Sequence, residues 1–268
     1  FKDLRHIALA KAEIIRNTKI NGFLVLNADD KFFNLHKKIA LDNNLNVISF
    51  SIKNKISNLR LMNIKKKGSN FEIFIKVDNF VKNFLVSNDF QNHIYNILAA
   101  LTVMKIYINI SRLSKKIFLN FKIPPGRGDL SKVRINKKNI NLIDESYNSN
   151  PLSLKSAILN YDKINSKNSK KYLLLGDMLE LGVNSKKLHQ SIAPIINKTK
   201  IDKVFVKGTK VLSIFDRITK SKRGRILQNK SQITELLKDE LNDNDYLMIK
   251  ASNATGFNEI TKVLKGVN

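Results

Sequence analysis

The second half of the chain alternates apolar runs with helical patterns, and that rhythm limits the fold more than any other feature. Apolar runs fall at 139–143, 171–175, 203–207, 223–227 and 246–250, and helical spacing follows at 151–163, 185–197, 209–219, 231–241 and 256–265. Short strands separated by helices of about ten to fifteen residues form βαβ units around a mostly parallel sheet. The first half is mixed. Helical spacing covers 3–17, 31–43, 91–108 and 111–120, and strands are expected at 22–26, 47–51, 59–66, 71–77 and 80–86. Alternation from Phe71 to Val77 fits a half-exposed antiparallel pair, and Gly68 marks a hairpin turn before it. Between the halves, Ile123-Pro124-Pro125-Gly126 stops a helix and stiffens the connection. Two α/β domains are therefore expected, 1–123 and 124–268, in line with about 150 residues per domain.

The chain has no Cys, which excludes disulfide scaffolds, thiolate zinc sites and cysteine nucleophiles. No apolar run reaches the roughly 18–20 residues of a membrane helix, so no membrane insertion is expected. The opening Phe1-Lys2-Asp3-Leu4-Arg5 has charge without the apolar stretch of a secretory signal. Because it opens on Phe, the chain is read as a fragment of a longer protein. A net charge of +26 invites a nucleic-acid-binding reading. Yet the excess is 39 Lys against 9 Arg, spread along the chain together with 34 Asn. Sites that read bases or phosphates favour the planar fork of Arg. A solvated basic surface that attracts anionic substrates such as nucleotides fits the charge better, and no nucleic-acid partner is expected.

Ligands of open α/β sheets bind beyond the carboxyl ends of the strands. Those ends are polar here. Asn27-Ala28-Asp29-Asp30 follows Leu26, and Asp144-Glu145-Ser146-Tyr147-Asn148-Ser149-Asn150-Pro151 follows Ile143. Gly176-Asp177-Met178-Leu179-Glu180-Leu181-Gly182 follows Leu175, and Lys250-Ala251-Ser252-Asn253 follows Ile249. Each has a structural use as well. Asn150 can cap a helix with Pro151 at its first position. Asp29 or Asp30 can cap the next helix. Ser185 can cap helix 185–197, with His189 a surface residue one turn on, and Lys11 and Glu13 can be solvated. Seven consecutive polar residues at 144–150 still exceed what a turn requires. No Walker A loop, GxGxxG or HExxH occurs, and His6, His36, His93 and His189 are too scattered to form a metal motif.

The 143–153 segment, and the 176–182 segment with Ser185 and His189, resemble the Mur ligase family. Within it they are most similar to the branch that adds D-alanyl-D-alanine. Upstream, Ile7-Ala8-Leu9-Ala10-Lys11-Ala12-Glu13-Ile14, Leu26-Asn27-Ala28-Asp29-Asp30 and Asn96-Ile97-Leu98-Ala99-Ala100 resemble the family's central domain, and Gly126-Arg127 its domain junction. The resemblance implies the distal part of a P-loop-type ATP-binding domain followed by a Rossmann-like ligase domain. Its N-terminal domain and Walker A loop have no counterpart in these residues.

The resemblance also implies an ATP- and Mg2+-dependent amide ligase of peptidoglycan precursor synthesis, cytoplasmic and monomeric. Its substrates would be UDP-N-acetylmuramoyl-tripeptide and D-alanyl-D-alanine, joined through an acyl phosphate. Charge builds on phosphoryl oxygens, so cations must be held near them. The resemblance makes Lys11 a carbamylated metal ligand. It places Asn96 and His93 at adenine, Arg127 at the ATP phosphates, and Glu145 and Tyr147 at the nucleotide. Asn148, Asn150 and Ser153 would line the reacting cleft, and Asp177, Glu180, His189, Lys250 and Ser252 the substrate side. Two departures stand out. The family has His-Asn where Asn92-His93 stands, and Lys-Gly-Ser-Arg where Lys250-Ala251-Ser252-Asn253 stands, which removes a bidentate grip. Three alternatives remain: another Mur ligase or a folylpolyglutamate synthase-like ligase, a binding-only fragment, and a basic nucleic-acid module. Without a phosphate-cradling loop, these residues alone are expected not to turn over ATP.

Overall fold

The computed structural model describes residues 3–87, 93–121, 123–166 and 168–266. The chain divides into two compact units, Phe1–Lys122 and Ile123–Asn268.

Unit one begins with α1 (Leu4–Lys11) and α2 (Glu13–Arg16), a single helical run interrupted at Ala12. Asp3 starts it, its carboxylate accepting from the His6 N–H at 2.9 Å. There follow β1 (Phe23–Asn27), α3 (Phe33–Asp42), β2 (Asn46–Ser51), β3 (Leu59–Lys67), β4 (Asn70–Val77), β5 (Phe80–Ser87) and α4 (Ile94–Tyr107). The sheet runs β1-β2-β3-β4-β5, parallel across the first three strands and antiparallel across the last three. Gly68 turns the β3–β4 hairpin with φ +61°. One face of α4 buries Ile94, Ile97, Leu98 and Leu101 against Phe50, Leu59, Ile73 and Phe84.

The helix expected at 111–120 does not form. Ile110–Arg112 is a single 3-10 turn capped by Asn109, and Leu113 is extended. The chain then returns along β5: Leu85 N–H donates to Lys115 O, and Phe118 bridges to Val86. Pairing and burial of Ile110 and Phe118 in the core outweigh local helical spacing. Residues 91 and 92 of the helix expected at 91–108 lie outside the described residues.

Unit two contains β6 (Asp129–Ile135), β7 (Lys138–Glu145), α5 (Pro151–Asp162), β8 (Lys171–Gly176), α6 (Ser185–Gln190), α7 (Ala193–Asn197), β9 (Lys203–Lys207), α8 (Leu212–Phe215), β10 (Arg223–Ile226), α9 (Lys230–Asp239), β11 (Tyr246–Lys250) and α10 (Phe257–Lys265). The sheet order is β10-β9-β8-β11-β7-β6, and only β6 runs antiparallel. The period-two pattern feeds two cores. Leu173, Leu175, Val204, Val206 and Met248 face α5, α7 and α8, while Tyr172, Leu174, Phe205, Leu247 and Ile249 face α9 and α10. The expected helix 185–197 breaks between α6 and α7, where Pro194 opens the second piece. Helix 209–219 shortens to the four residues of α8.

Register aligns the strand ends that matter. Lys250 pairs with Glu145 on one side and Leu175 on the other, and Gly176 pairs with Lys207. The loops after β7, β8, β9 and β11 therefore leave the sheet at one edge.

Candidate active site

In unit two Asp144, the next-to-last residue of β7, is 2% exposed. Its Oδ1 accepts from the Ser146 N–H at 3.0 Å and the Ser146 hydroxyl at 2.6 Å. Its Oδ2 lies 2.6 Å from Lys265 Nζ, and the same ammonium lies 2.6 Å from Asp129 Oδ2. Burial alone would raise the Asp144 carboxyl. The Lys265 ammonium and the two Ser146 donors outweigh it and hold it below its ordinary value. The loop ends in a capping box: Asn150 Oδ1 accepts from Ser153 N–H at 2.9 Å, and Ser153 Oγ accepts from Asn150 N–H at 3.1 Å.

Lys250, at the end of β11, is 1% exposed and donates to Glu145 Oε2 at 3.0 Å and to Asn148 O at 2.9 Å. Ser252 Oγ donates to Ser149 O at 3.3 Å and accepts from Leu179 N–H at 2.9 Å. One hydroxyl thus joins the loops after β7, β8 and β11. Asp177 accepts main-chain N–H bonds from Thr209 at 3.3 Å, Lys210 at 3.0 Å and Val211 at 2.8 Å, which fastens the loop after β9. A side chain at Gly208, where φ is +137°, would collide with that carboxylate.

His189 is fully buried, which corrects its reading as a surface residue. Its Nε2 accepts from Met178 N–H at 3.1 Å, so the proton sits on Nδ1, which faces Ser185 O at 2.8 Å. Ser185 is the first residue of α6, and Asn184 holds the cap position in its place. His189, Asp177, Lys250 and Ser252 were expected at the substrate. Their polar atoms are engaged with loop main chain and with Glu145, because a tight assembly of four loops needs its buried N–H and C=O groups satisfied. These hydrogen bonds fasten the loops to one another. Glu180, by contrast, is exposed in the left-handed region with φ +61°.

The side chains left facing outward are Arg127, Tyr147 and Asn148. The Arg127 guanidinium stacks 4.2 Å from the Tyr147 ring centroid. Gly126, with φ +79°, makes this possible: a Cβ there would stand 3.0 Å from Tyr147 Cβ. Gly126 O also accepts from Tyr147 N–H at 3.1 Å.

In unit one, Lys11 is exposed in the last turn of α1. Asn96 is exposed on α4, its amide 3.5 Å from His93 Nδ1; Asn92 lies outside the described residues. Asp29 caps no helix. Its carboxylate accepts from Ile52, Lys53 and Asn54 N–H and from the Tyr95 hydroxyl at 3.1 Å. Partial burial opposes ionisation, and those donors prevail and lower its pKa. A cavity of about 770 Å³ lies here, lined among others by Lys31, Asn34, Lys37, Ser49, Asn58 and Asp78. Of the strand-end residues singled out from the sequence, Ala28 and Asp30 line it. Among the described residues no three His, Cys, Asp or Glu side chains gather as a metal cage.

Residues 1–104 match the Mur ligase middle domain, and residues 130–253 match the Mur ligase, glutamate ligase domain. The chain belongs to the Mur ligase family. It is similar to the UDP-N-acetylmuramoyl-tripeptide–D-alanyl-D-alanine ligase of Buchnera aphidicola subsp. Baizongia pistaciae, 32% identical over 98% of this chain and 55% of that protein. The ligase of the same name from Rickettsia prowazekii is 26% identical over 97% of this chain and 57% of that protein. The chain spans about half the length of the curated relatives it matches. Among solved structures, MurF ligase from Thermotoga maritima in complex with ADP shares the fold, with a TM-score of 0.74 at 20% identity over 98% of this chain and 57% of that one. MurF from Acinetobacter baumannii gives 0.76 at 17% identity over 97% and 55%.

Proposed function

We propose that this chain is the distal part of an ATP-dependent ligase that joins D-alanyl-D-alanine to UDP-N-acetylmuramoyl-tripeptide, a cytoplasmic step in building the peptidoglycan precursor. The observation that carries the reading is the convergence of the 144–150, 177–182 and 250–253 loops at one sheet edge through Lys250 and Ser252. Loops locked in this way hold reacting groups in place, and positioning of that kind supplies much of the rate in group transfer.

In this reading the γ-phosphoryl group passes from ATP to the terminal carboxylate oxygen of the tripeptide, leaving ADP and an acyl phosphate. The dipeptide amine attacks the acyl carbon, loses a proton, and phosphate departs as the amide forms. Asn96 and His93 contact adenine. Tyr147 and Glu145 flank the nucleotide, and the Arg127 guanidinium, already held over the Tyr147 ring, meets its phosphates. Asn148 is exposed and offers an amide to the acyl phosphate, while Asn150 and Ser153 fix the start of α5 beneath it. Mg2+ is part of the proposal through the family resemblance, with Lys11 as its carbamate ligand. Replacing Lys11 with Ala is expected to abolish ligation, and short carboxylates to restore part of it.

The natural reading frame containing these residues, expressed whole, is the material for the test. Supplied with ATP, UDP-N-acetylmuramoyl-tripeptide and D-alanyl-D-alanine, it is expected to release one phosphate per amide formed, with the pentapeptide product seen by mass spectrometry. A folded protein that releases phosphate without the dipeptide, or accepts a single amino acid in its place, overturns the assignment.

A further inference from the structure

The 144–150 loop is held from the far end of the sequence. Asp144 is tied to Lys265 in the last turn of α10, Ser146 Oγ lies 3.3 Å from Thr261 Oγ1 of the same helix, and Lys250 and Ser252 hold the rest. Lys265 is the pivot. It joins Asp129 and Asp144, which face each other in the β6–β7 register, and both distances are 2.6 Å. Its side chain is only 13% exposed, so its partners are held in a poorly screened setting. Asp144 spends its other oxygen on Ser146, whose neighbour Tyr147 carries the Arg127 stack. Lys265 also lies twelve residues beyond the segment matched to the Mur ligase, glutamate ligase domain, which ends at residue 253.

We infer that Lys265 is a positioning residue: through Asp144 and Ser146 it sets the path of the loop that presents Tyr147 and Asn148. It touches no substrate. Its effect on ligation rests on the function proposed above, but its effect on the loop does not.

The test has two arms. In the first, amide hydrogen exchange is followed in the full 268-residue chain for Lys265→Met, Lys265→Gln and Lys265→Arg. The expected result is exchange on the order of tenfold faster or more at Ser146, Tyr147 and Asn148 in the Met variant, with β9 amides unchanged. Arg should restore protection by keeping the charge and two-carboxylate reach, and Gln should fall between. Equal acceleration in the loop and in β9, failure of both uncharged variants to fold, or no change anywhere overturns the proposal. The second arm measures ligation in the whole reading frame, where Lys265→Met is expected to lower kcat by about tenfold, through Asn148, and to raise the KM for ATP, through Tyr147. An unchanged kcat overturns the catalytic consequence. Absence of ligation in the unmodified protein overturns the function proposed above and leaves the exchange result standing.

Discussion

Ser149 is almost fully buried, and among the described residues its hydroxyl has no hydrogen-bond partner. An orphaned buried hydroxyl costs about 1–3 kcal/mol, so Ser149→Ala is expected to raise the unfolding free energy by about 1 kcal/mol in urea denaturation. Lys250 predicts the opposite sign. Removing it leaves Glu145 without its cation and Asn148 O without its donor, and Lys250→Ala is expected to cost about 2–3 kcal/mol in the same measurement. Glu145 is partly solvated, which keeps the figure at the low end for a buried pair. The segments that converge at the sheet edge were legible as motifs, and the hydrogen bonds that join them were not. The family resemblance implies a substrate side for Asp177, His189, Lys250 and Ser252, and the hydrogen bonds these residues make to the loops were not legible. Which polar atoms a loop spends on its own main chain depends on neighbours far off in sequence, 102 residues in the case of Lys250 and Asn148.

The strands and helices of unit two were largely legible, because alternation with period two and helical spacing both report which face is buried. The failures share a cause. The 111–120 segment has helical spacing, yet its apolar residues serve a return along β5. The strand β6 went unread, since its exposed residues belong to an antiparallel edge that only pairing with β7 reveals. Gly176 shows how closely two elements can be set. A Cβ there would stand 2.5 Å from the Phe257 ring and 2.6 Å from Ala251, so β8 and α10 meet only because the position is bare. Gly176→Ala is expected to destabilise unit two by about 1–3 kcal/mol, read as a lower urea midpoint with an unchanged slope.

Across the whole molecule, a net charge of +26 opposes compaction. Raising ionic strength from about 0.01 M to 0.15 M shortens the screening length from about 30 Å to 8 Å, and the melting temperature should rise with added salt. Stability should also fall at both extremes of pH. Asp144 has a folded-state pKa below its unfolded value of about 3.9. Its contribution is present above that value and is lost as pH falls through the lower folded one. Tyr172, buried with acidic neighbours, is pushed up to about 12. Its contribution is intact below pH of about 10 and fades as pH rises towards 12, as does that of Lys265, whose two carboxylates outweigh its burial. Denaturation midpoints across pH 2–12 that stay flat at either end would refute that half of the account. The clasp on the 144–150 loop has a consequence in time as well as in space. Asp144 leaves the ribosome 121 residues before Lys265, an interval of roughly 6–24 seconds at about 5–20 residues per second. During that interval the nascent chain carries the loop without its fasteners. A translating protein of this kind closes that surface only after the last turn of α10 has emerged.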